Sequence, residues 1–291
     1  MDFTSIDVET ANPDLSSICQ IGIVQFRDGA IAHRWKSFVN PDDYFDPMNI
    51  SVHGIRESDV SDAPSFSELA PELHGYLTSS IVCHHTHFDR TAIHAVHTRH
   101  GLSMPEVQWL DTARVVRRTW LDRSRSGYGL RAVADMLGIT FNHHDAEEDA
   151  RVAGEILLHA IAESELSVPE WLVRAYRPIA SSGSGTSERH TRDGNPEGPL
   201  YGETAVFTGA LSMPRREAAD MAAAAGCDVG SGVTKSTTLL IVGDQDVTKL
   251  AGHPKSSKHR KAETNIEKGQ AIRILRESDF VMLLETAAIG T

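Results

Sequence analysis

The chain has 291 residues, enough for one or two domains, and carries a formal net charge of −12 at pH 7. This acidic balance excludes attraction of a polyanion by bulk charge, and the lack of a long apolar run excludes a transmembrane helix. The three cysteines (Cys19, Cys83 and Cys227) are scattered without a pairing pattern, and no signal-peptide pattern is present. These features predict a cytoplasmic protein with no membrane partner.

The first predicted strand, residues 3–9, presents two acids on one side. Side chains alternate along a strand, so Asp7 and Glu9 face the same way, about 7 Å apart by the strand rise, while Ile6 and Val8 face the opposite layer. Two carboxylates in this arrangement can hold a divalent cation. An ordinary solvated strand end has the same pattern, because short motifs also occur by chance.

A short buried strand at residues 80–83 comes before a predicted helix at residues 87–97, which places Asp89 in the first turn of that helix. An acid in a first turn can be a metal ligand or only a partner of the helix dipole. The neighbouring histidines His84, His85 and His87 suggest zinc, but no CxxC or HExxH spacing accompanies them. We therefore expect no zinc site in this segment.

Six arginines between positions 114 and 131 form the main basic stretch of the chain. The sequence predicts two helices here, joined by a turn at residues 122–127. Most of these arginines are expected on solvated helix faces, where one or two of them could reach a phosphate.

A third segment, HHDAEEDA at residues 143–150, predicts the start of a long helix. Asp145 has the position of an N-cap, and Glu148 has that of its N3 partner in a capping box. His144 and Asp149 are then the N′ and N4 residues, which meet across a helix N-terminus, so they can share one site. The alternative is that the acids of this segment only complement the helix dipole.

Together, the three segments resemble the DEDDh exonuclease superfamily, which includes the epsilon proofreading subunit of bacterial replicative DNA polymerase. The first motif corresponds to IDVET (6–10), the second to HFD (87–89) and the third, H-x-A-x-x-D, to HDAEED (144–149). Three further stretches are also similar to this superfamily: FVNP (38–41), HGI (53–55) and APSF (63–66). The resemblance covers approximately residues 1–165.

The resemblance implies a ribonuclease-H-like α/β fold with a mixed sheet, two Mg²⁺ or Mn²⁺ ions, and removal of nucleotides from a 3′ end. By the same resemblance, Asp7, Glu9, Asp89 and Asp149 would hold the ions, and His144 would deprotonate the attacking water. The residue types suit this chemistry, because hard divalent cations prefer carboxylates and imidazole takes a proton near neutral pH. Two ions about 3.5–4 Å apart would stabilise the attacking and leaving oxygens of an in-line displacement.

Residues 177–199 separate this part from the rest of the chain. Of these 23 residues, 13 are Gly, Pro, Ser or Thr, which predicts a flexible linker with a reach of roughly 26 Å. The charge divides at the same place: residues 1–176 hold 14 Lys/Arg against 26 Asp/Glu, whereas residues 200–291 hold 11 of each. The sequence therefore predicts an exonuclease-like domain at residues 1–176, a linker, and a second domain at residues 200–291.

Strands and helices alternate in the second domain, which predicts a small parallel α/β sandwich. Strands are predicted at 204–208, 226–229, 239–242 and 272–275, and helices at 214–225, 258–268 and 277–284.

Three stretches of this domain, at residues 206–218, 224–244 and 261–284, resemble a BRCT domain, and the resemblance covers nearly all of residues 200–288. They are most similar to the BRCT modules of bacterial NAD-dependent DNA ligases and of the clamp-loader large subunit. That subgroup is associated with DNA ends and 5′ phosphates. One departure is the loop Gln245–Ser257, which is longer than in a compact BRCT domain.

An anion pocket is predicted where the first strand of this domain ends. Thr208 offers a hydroxyl, Gly209 lets a backbone N–H approach closely, and the following helix points its N-terminus at the same place. By resemblance, Lys261 completes this phosphate-binding pocket, with Arg215 and Lys235 as candidate additional contacts. The alternative is a plain turn beside solvated lysines.

The sequence favours a metal-dependent 3′→5′ exonuclease acting on DNA in repair or proofreading, with the BRCT domain docking it to a phosphorylated DNA end or a partner protein. Two alternatives stay open. One is an RNA-trimming exonuclease, because nothing in the sequence identifies a reader of the 2′-hydroxyl. The other is a non-catalytic adaptor that uses the nuclease fold as a scaffold. The complete set of four acids and one histidine favours catalysis, and the BRCT resemblance favours DNA.

Overall fold

The structure is a computed structural model that describes residues 1–78, 80–120, 128–176, 192–243 and 255–288. The chain forms two compact units, Met1–Arg177 and Pro178–Thr291. Residues 177–191 of the predicted linker lie outside the described residues, as do the predicted turn at 122–127 and residues 245–254 of the long loop. None of the helices in the described ranges has the length and apolar character that crossing a membrane requires.

A mixed sheet forms the centre of the first unit. Its strands are β1 (Phe3–Thr10), β2 (Ile18–Arg27), β3 (Ala30–Phe38), β4 (Ile81–His84) and β5 (Gln108–Asp111). They lie in the order β3-β2-β1-β4-β5, antiparallel from β3 to β1 and parallel from β1 to β5. The carboxyl ends of β1, β4 and β5 therefore meet at one edge, where polar side chains from distant segments can converge.

Eight described helices surround this sheet. They are α1 (Pro47–His53), α2 (Glu57–Val60), α3 (Phe66–Leu77), α4 (Phe88–His100), α5 (Thr112–Thr119), α6 (Leu130–Leu137), α7 (Ala146–Ser164) and α8 (Val168–Ala175). The longest, α7, packs on β1 and β2. Its Leu157 and Ala160 share an apolar cluster with Phe3 and Phe26 of the sheet. This packing confirms the mixed-sheet α/β architecture that the sequence predicts.

The predicted start of α7 is confirmed, but only half of its capping box forms. The Asp145 carboxylate accepts hydrogen bonds from the backbone N–H groups of Glu147 and Glu148 at the helix start. The Glu148 carboxylate binds the guanidinium groups of Arg151 and Arg34 instead of returning to the N-cap. Two guanidinium partners, Arg151 on α7 itself and Arg34 on β3, replace the local capping bond because both contacts are charge-assisted.

The basic stretch differs from its prediction, because two of its arginines are buried. Arg114 is 2% exposed and Arg117 is 5% exposed. Their guanidinium groups lie over the rings of Tyr176 and Tyr128, at 4.7 and 5.8 Å from the ring centres. Aromatic faces stabilise cations in this position, so these residues line the interior of the unit and not a solvated face.

The second unit contains a parallel sheet of β6 (Thr204–Thr208), β7 (Asp228–Gly230), β8 (Leu239–Val242) and β9 (Arg273–Arg276), in the order β7-β6-β8-β9. Its described helices are α9 (Arg215–Ala224), α10 (Ser257–Glu267) and α11 (Glu277–Ala288). The small parallel α/β unit agrees with the sequence prediction: β6 and β8 have the predicted bounds, and the ends of the other elements differ by at most four residues.

Residues 192–199, which the sequence assigns to the linker, pack on this second unit. The Arg192 N–H donates to the Val229 carbonyl at 3.2 Å, and the Val229 N–H donates back at 2.8 Å. A Cβ on Gly194 would lie 2.0 Å from the Gly226 oxygen, so this glycine allows a close backbone contact. The glycines that suggest flexibility in the sequence therefore serve tight packing, and residues 192–199 belong with the second unit.

Candidate metal centre

Three carboxylates from two distant segments converge beside β1. One ligand oxygen from each of Asp7, Glu9 and Asp149 lies within 4.8 Å of the other two. Asp7 is 7% exposed and Asp149 is 3% exposed, so two of the acids are withdrawn from water. The sequence predicts that Asp7 and Glu9 share one side of their strand, and this grouping agrees with that prediction.

A close contact between β2 and the start of α7 brings Asp149 to this position. Gly22 is the partner of Asp7 across the β1–β2 pair, and a Cβ on Gly22 would lie 2.2 Å from the carbonyl carbon of Ala146. Only glycine leaves room for the backbone of α7 at this point. The Ala146 N–H also donates to the side-chain oxygen of Gln20, which is paired with Glu9. The start of α7 is therefore attached to the strand residues opposite both acids.

The next strand reinforces this attachment from the surface. Lys36 is paired with Gly22 across β2 and β3, and its ammonium lies 2.7 Å from the N-cap carboxylate of Asp145. Exposed pairs of this kind contribute little stability, about 0–1 kcal/mol. The pair is therefore consistent with the position of α7 on the sheet, which the close contact at Gly22 determines.

The two oxygens of Asp149 have different surroundings. Oδ2 accepts hydrogen bonds from His143 Nδ1 at 3.0 Å and from the His144 N–H at 3.2 Å. Oδ1 is buried, and no residue that the structure describes donates a hydrogen bond to it. A buried carboxylate oxygen left without a donor is costly unless a cation neutralises it. This oxygen and the neighbouring acids therefore fit a hard divalent cation.

His144 lies at the entrance of the cluster in a left-handed backbone conformation, with φ = 68°. Its Nδ1 is 3.8 Å from Glu9 Oε1, and its side chain is 34% exposed. Its ring stacks on that of His143, with centroids 3.8 Å apart and planes inclined by 17°. His144 thus combines contact with the acids and access to solvent, as its predicted role as a proton acceptor requires.

Asp89 is buried in the first turn of α4 and is bonded to β1. Its Oδ1 accepts a hydrogen bond from the Val8 N–H at 3.2 Å, between the positions of Asp7 and Glu9. It is not one of the three acids whose oxygens converge within 4.8 Å. The structure places Asp89 beside the cluster, and its role as a fourth ligand stays a prediction.

The histidines next to Asp89 build the loop between β4 and α4. His85 contacts the Thr112 hydroxyl through Nδ1 and the Tyr128 carbonyl through Nε2. Burial lowers the pKa of His85 to about 4 and that of His87 to about 3, so both are neutral near pH 7. This neutral, buried state suits a structural role.

Asp111, which the sequence analysis did not single out, anchors the same loop. Its Oδ1 accepts from the N–H groups of Ala113 and Thr86, at 2.8 and 3.1 Å. Burial opposes its ionisation, but the neighbouring His84, His87 and Arg117 hold its pKa below the ordinary value. The sequence did hold a signal for Asp111: an Asp-Thr pair directly after a buried strand, where an N-cap Asp commonly starts the next helix.

At the predicted phosphate pocket of the second unit, the structure places Lys258 and the expected Arg215 beside the strand end. The role of Lys261 in phosphate binding stays a prediction. The Thr208 and Ser256 hydroxyls are 2.7 Å apart, so α10 begins beside the end of β6. The Lys258 ammonium donates to the Phe207 carbonyl at 2.9 Å, whereas Lys261 is exposed one turn further along. Lys258 takes this place because it lies in the first turn of α10, nearest the strand end.

Arg215 also reaches the end of β6. Its guanidinium donates to the carbonyls of Phe207 and Gly209, at 2.6 and 2.7 Å. Burial, followed by repulsion from Arg215, lowers the pKa of Lys258. Two cations held this close favour an anion between them. Lys235, the other candidate contact, is exposed.

Comparisons with known proteins agree with this division. Residues 4–157, just over half of the chain, match the exonuclease family (RNase_T), and residues 195–280 match the BRCT (BRCA1 C Terminus) domain. A DNA polymerase III of the PolC type from Thermotoga petrophila is 29% identical over 164 residues, 55% of this chain and 12% of the relative. The 3′-5′ exonuclease DinG of Bacillus subtilis is 27% identical over 164 residues, 55% of this chain and 17% of the relative. The chain thus spans less than a fifth of the length of either relative.

A solved structure shares the fold of the first unit. The nuclease domain of 3′hExo, described as a DEDDh family member bound to rAMP, is 16% identical, with a TM-score of 0.50. The match covers 55% of this chain and 92% of that domain.

Proposed function

The chain belongs to the exonuclease family, and from this premise we propose that it is a metal-dependent 3′→5′ exonuclease acting on DNA. The observation that carries the proposal is the convergence of Asp7, Glu9 and Asp149 beside a solvent-accessible histidine, His144. The family match supports the chemistry, and the names of the two relatives support DNA and the 3′→5′ direction. Such an activity would serve DNA repair or proofreading.

The residues of the cluster would divide the work between them. Bound Mg²⁺ or Mn²⁺ would supply Lewis-acid polarisation of the phosphodiester and activation of the attacking water. The carboxylates of Asp7, Glu9 and Asp149 would hold two ions, with Asp89 as the predicted fourth ligand. His144 would take the proton of the attacking water, because its ring combines contact with Glu9 and access to solvent.

The BRCT unit would bind a phosphate, and the first unit, residues 1–176, would carry the chemistry. The first unit is acidic and the second is neutral, so net charge does not recruit the substrate. The remaining way to recruit the substrate is a local pocket that binds a phosphate. The Thr208 hydroxyl, the approach at Gly209 and the N-terminus of α10 offer hydrogen bonds, and Lys258 with Arg215 offers positive charge. α10 takes the place of the helix expected from the sequence, because the Ser212 N–H before α9 already donates to the Glu277 carboxylate. A phosphorylated DNA end suits this set, and a phosphorylated partner protein is the alternative.

The activity can be tested by hydrolysis of single-stranded DNA, duplex DNA and RNA of one sequence, each labelled at the 3′ end, with Mg²⁺. The full chain should release labelled mononucleotides from DNA, and the Asp149→Ala variant should release none. Faster release from RNA would establish the RNA-trimming alternative. Equal release by both proteins, or none from any substrate, would contradict the proposal and favour the adaptor.

A further inference from the structure

We propose that His143 is a positioning residue of the metal centre: it fixes the Asp149 carboxylate so that its second oxygen faces the cation. This inference rests on the proposed function and adds a residue that lies outside the motif H-x-A-x-x-D. The observations that carry it are the contacts of His143 with Asp149 on one side and with His144 on the other.

The hydrogen bonds at Asp149 determine where its oxygens point. Oδ2 is held by two donors, His143 Nδ1 at 3.0 Å and the His144 N–H at 3.2 Å. A carboxylate held on one oxygen from two directions cannot rotate freely, so Oδ1 keeps one direction. That oxygen is buried and without a hydrogen-bond partner, and it belongs to the residue that groups with Asp7 and Glu9. The donor on Oδ2 therefore determines the position of the ligand atom.

Of the two donors, only the His143 side chain can be removed by substitution. Because a carboxylate accepts, Nδ1 of His143 must carry the hydrogen, which sets its tautomer. Hydrogen bonds to ligating groups orient them, and their loss commonly weakens metal binding 10–100-fold. The His143 ring is 23% exposed, so substitution leaves no large cavity in the core.

The ring of His143 is itself held in place by its neighbours. It stacks on His144 at 3.8 Å between centroids, and the Phe141 ring lies 5.2 Å away on a tilted plane. His143 therefore gives His144 a flat surface to pack on while its Nδ1 faces Asp149. A phenylalanine at position 143 would keep the flat ring and lose only the donor.

The three ligand atoms of His143, His144 and Asp149 also lie within 4.8 Å of one another, so direct ligation by His143 is the competing role. The two roles differ in what can replace the histidine. Asparagine places an N–H donor at the same δ position, which restores a positioning residue. Its amide oxygen can also replace a nitrogen ligand on Mn²⁺, but not on Ni²⁺, which prefers imidazole. A positioning residue is therefore rescued by asparagine for both metals, whereas a ligand is not rescued for Ni²⁺.

The test is calorimetric titration of the full chain with Mn²⁺ and, separately, with Ni²⁺, without nucleic acid, for the wild type and for four variants. For each metal, His143→Phe should weaken the binding step that Asp149→Ala removes about 10–100-fold, whereas His143→Asn should stay within a few-fold of the wild type. Asp149→Ala should abolish this binding and shows what the titration looks like when the site is lost. His159→Phe, at an exposed histidine on the same helix, is the matched control and should bind like the wild type.

The outcomes separate this inference from the proposed function. Wild-type affinity in His143→Phe, with binding lost in Asp149→Ala, would overturn the role of His143 and leave the metal centre standing. Equal weakening in His143→Phe and His143→Asn, for either metal, would also overturn it, and such weakening confined to Ni²⁺ would establish ligation. No Mn²⁺ binding by the wild type would overturn the proposed function together with this inference.

Discussion

Substitution of Gly22 tests whether the metal centre depends on the close contact between β2 and α7. In Gly22→Ala, the new Cβ would lie 2.2 Å from the Ala146 carbonyl carbon and from the Glu147 nitrogen. Ordinary contact begins at 3.4 Å, so strand and helix must separate by about 1.2 Å at this point. All three nearest atoms belong to the backbone, so no flexible side chain can absorb the clash.

This separation should affect activity more than folding. Overpacking of this kind destabilises a protein by about 1–3 kcal/mol. The displacement carries His144 and Asp149 away from Asp7, and a misplacement of about 1 Å can reduce catalysis on the order of 100-fold. We expect Gly22→Ala to fold with a lowered unfolding temperature, to bind Mn²⁺ more weakly and to hydrolyse 3′-labelled DNA at least about 100-fold more slowly. Thermal unfolding, calorimetry and single-turnover hydrolysis measure these three quantities.

Gly154→Ala is the matched control. It lies on α7 as well, and its Cβ would meet the ring of Phe26 at 2.2 Å, remote from the acids. This variant should lose stability by a similar amount while keeping its affinity for Mn²⁺. The reasoning is refuted if Gly22→Ala retains wild-type hydrolysis, or if both variants lose metal binding in proportion to their loss of stability.

Four further outcomes are expected. Asp7→Ala should abolish hydrolysis and leave the unfolding temperature unchanged or higher, because it removes one charge from a crowded acidic cluster; near-normal Mg²⁺-dependent hydrolysis would contradict this. His144→Ala should lower kcat about 10²–10⁴-fold and keep Mn²⁺ affinity, as measured by calorimetry, because it is assigned as a base and not a ligand. Lys258→Glu should weaken binding of the full chain to 5′-phosphorylated duplex DNA more than Lys261→Glu does, as measured by fluorescence anisotropy with the dephosphorylated duplex for comparison. Equal effects would contradict the assignment of Lys258, and a larger effect of Lys261→Glu would restore the original one. Because burial lowers the pKa of His85 to about 4, the unfolded chain binds a proton that the folded chain excludes, so the free energy of unfolding should fall as the pH drops from about 6.5 towards 4. Denaturant titrations should show a weaker pH dependence in His85→Asn.

Several features of the site could be predicted because they depend on local geometry. The alternation of a strand places Asp7 and Glu9 on one side, and the structure groups them. The N-cap at Asp145 defines where α7 starts, and from that point the proximity of His144 and Asp149 follows. The backbone N–H of His144 indeed donates to the Asp149 carboxylate at 3.2 Å.

Other features depended on contacts between distant segments and could not be inferred from local sequence. Arg114 looks like a surface residue, and its burial depends on Tyr176, which is 62 residues away. Whether Lys258 or Lys261 reaches the end of β6 depends on where the first turn of α10 meets that strand. The glycines of residues 192–199 look like linker residues until their contact with the second unit is known.

By itself, the sequence determined the local pairs Asp7–Glu9 and His144–Asp149, because strand period and helix capping are properties of the backbone within a few residues; the chemical roles of these side chains were expectations from the resemblance. Only the tertiary structure decided that Asp149 meets Asp7. That meeting requires α7 to approach β2 at Gly22, more than a hundred residues away in the chain. The contact of His143 with Asp149 depends on the same packing, since the helix must be in place before one oxygen of the carboxylate can face the other acids. Packing between distant segments, and not local preference, brings Asp7, Glu9 and Asp149 into one cluster.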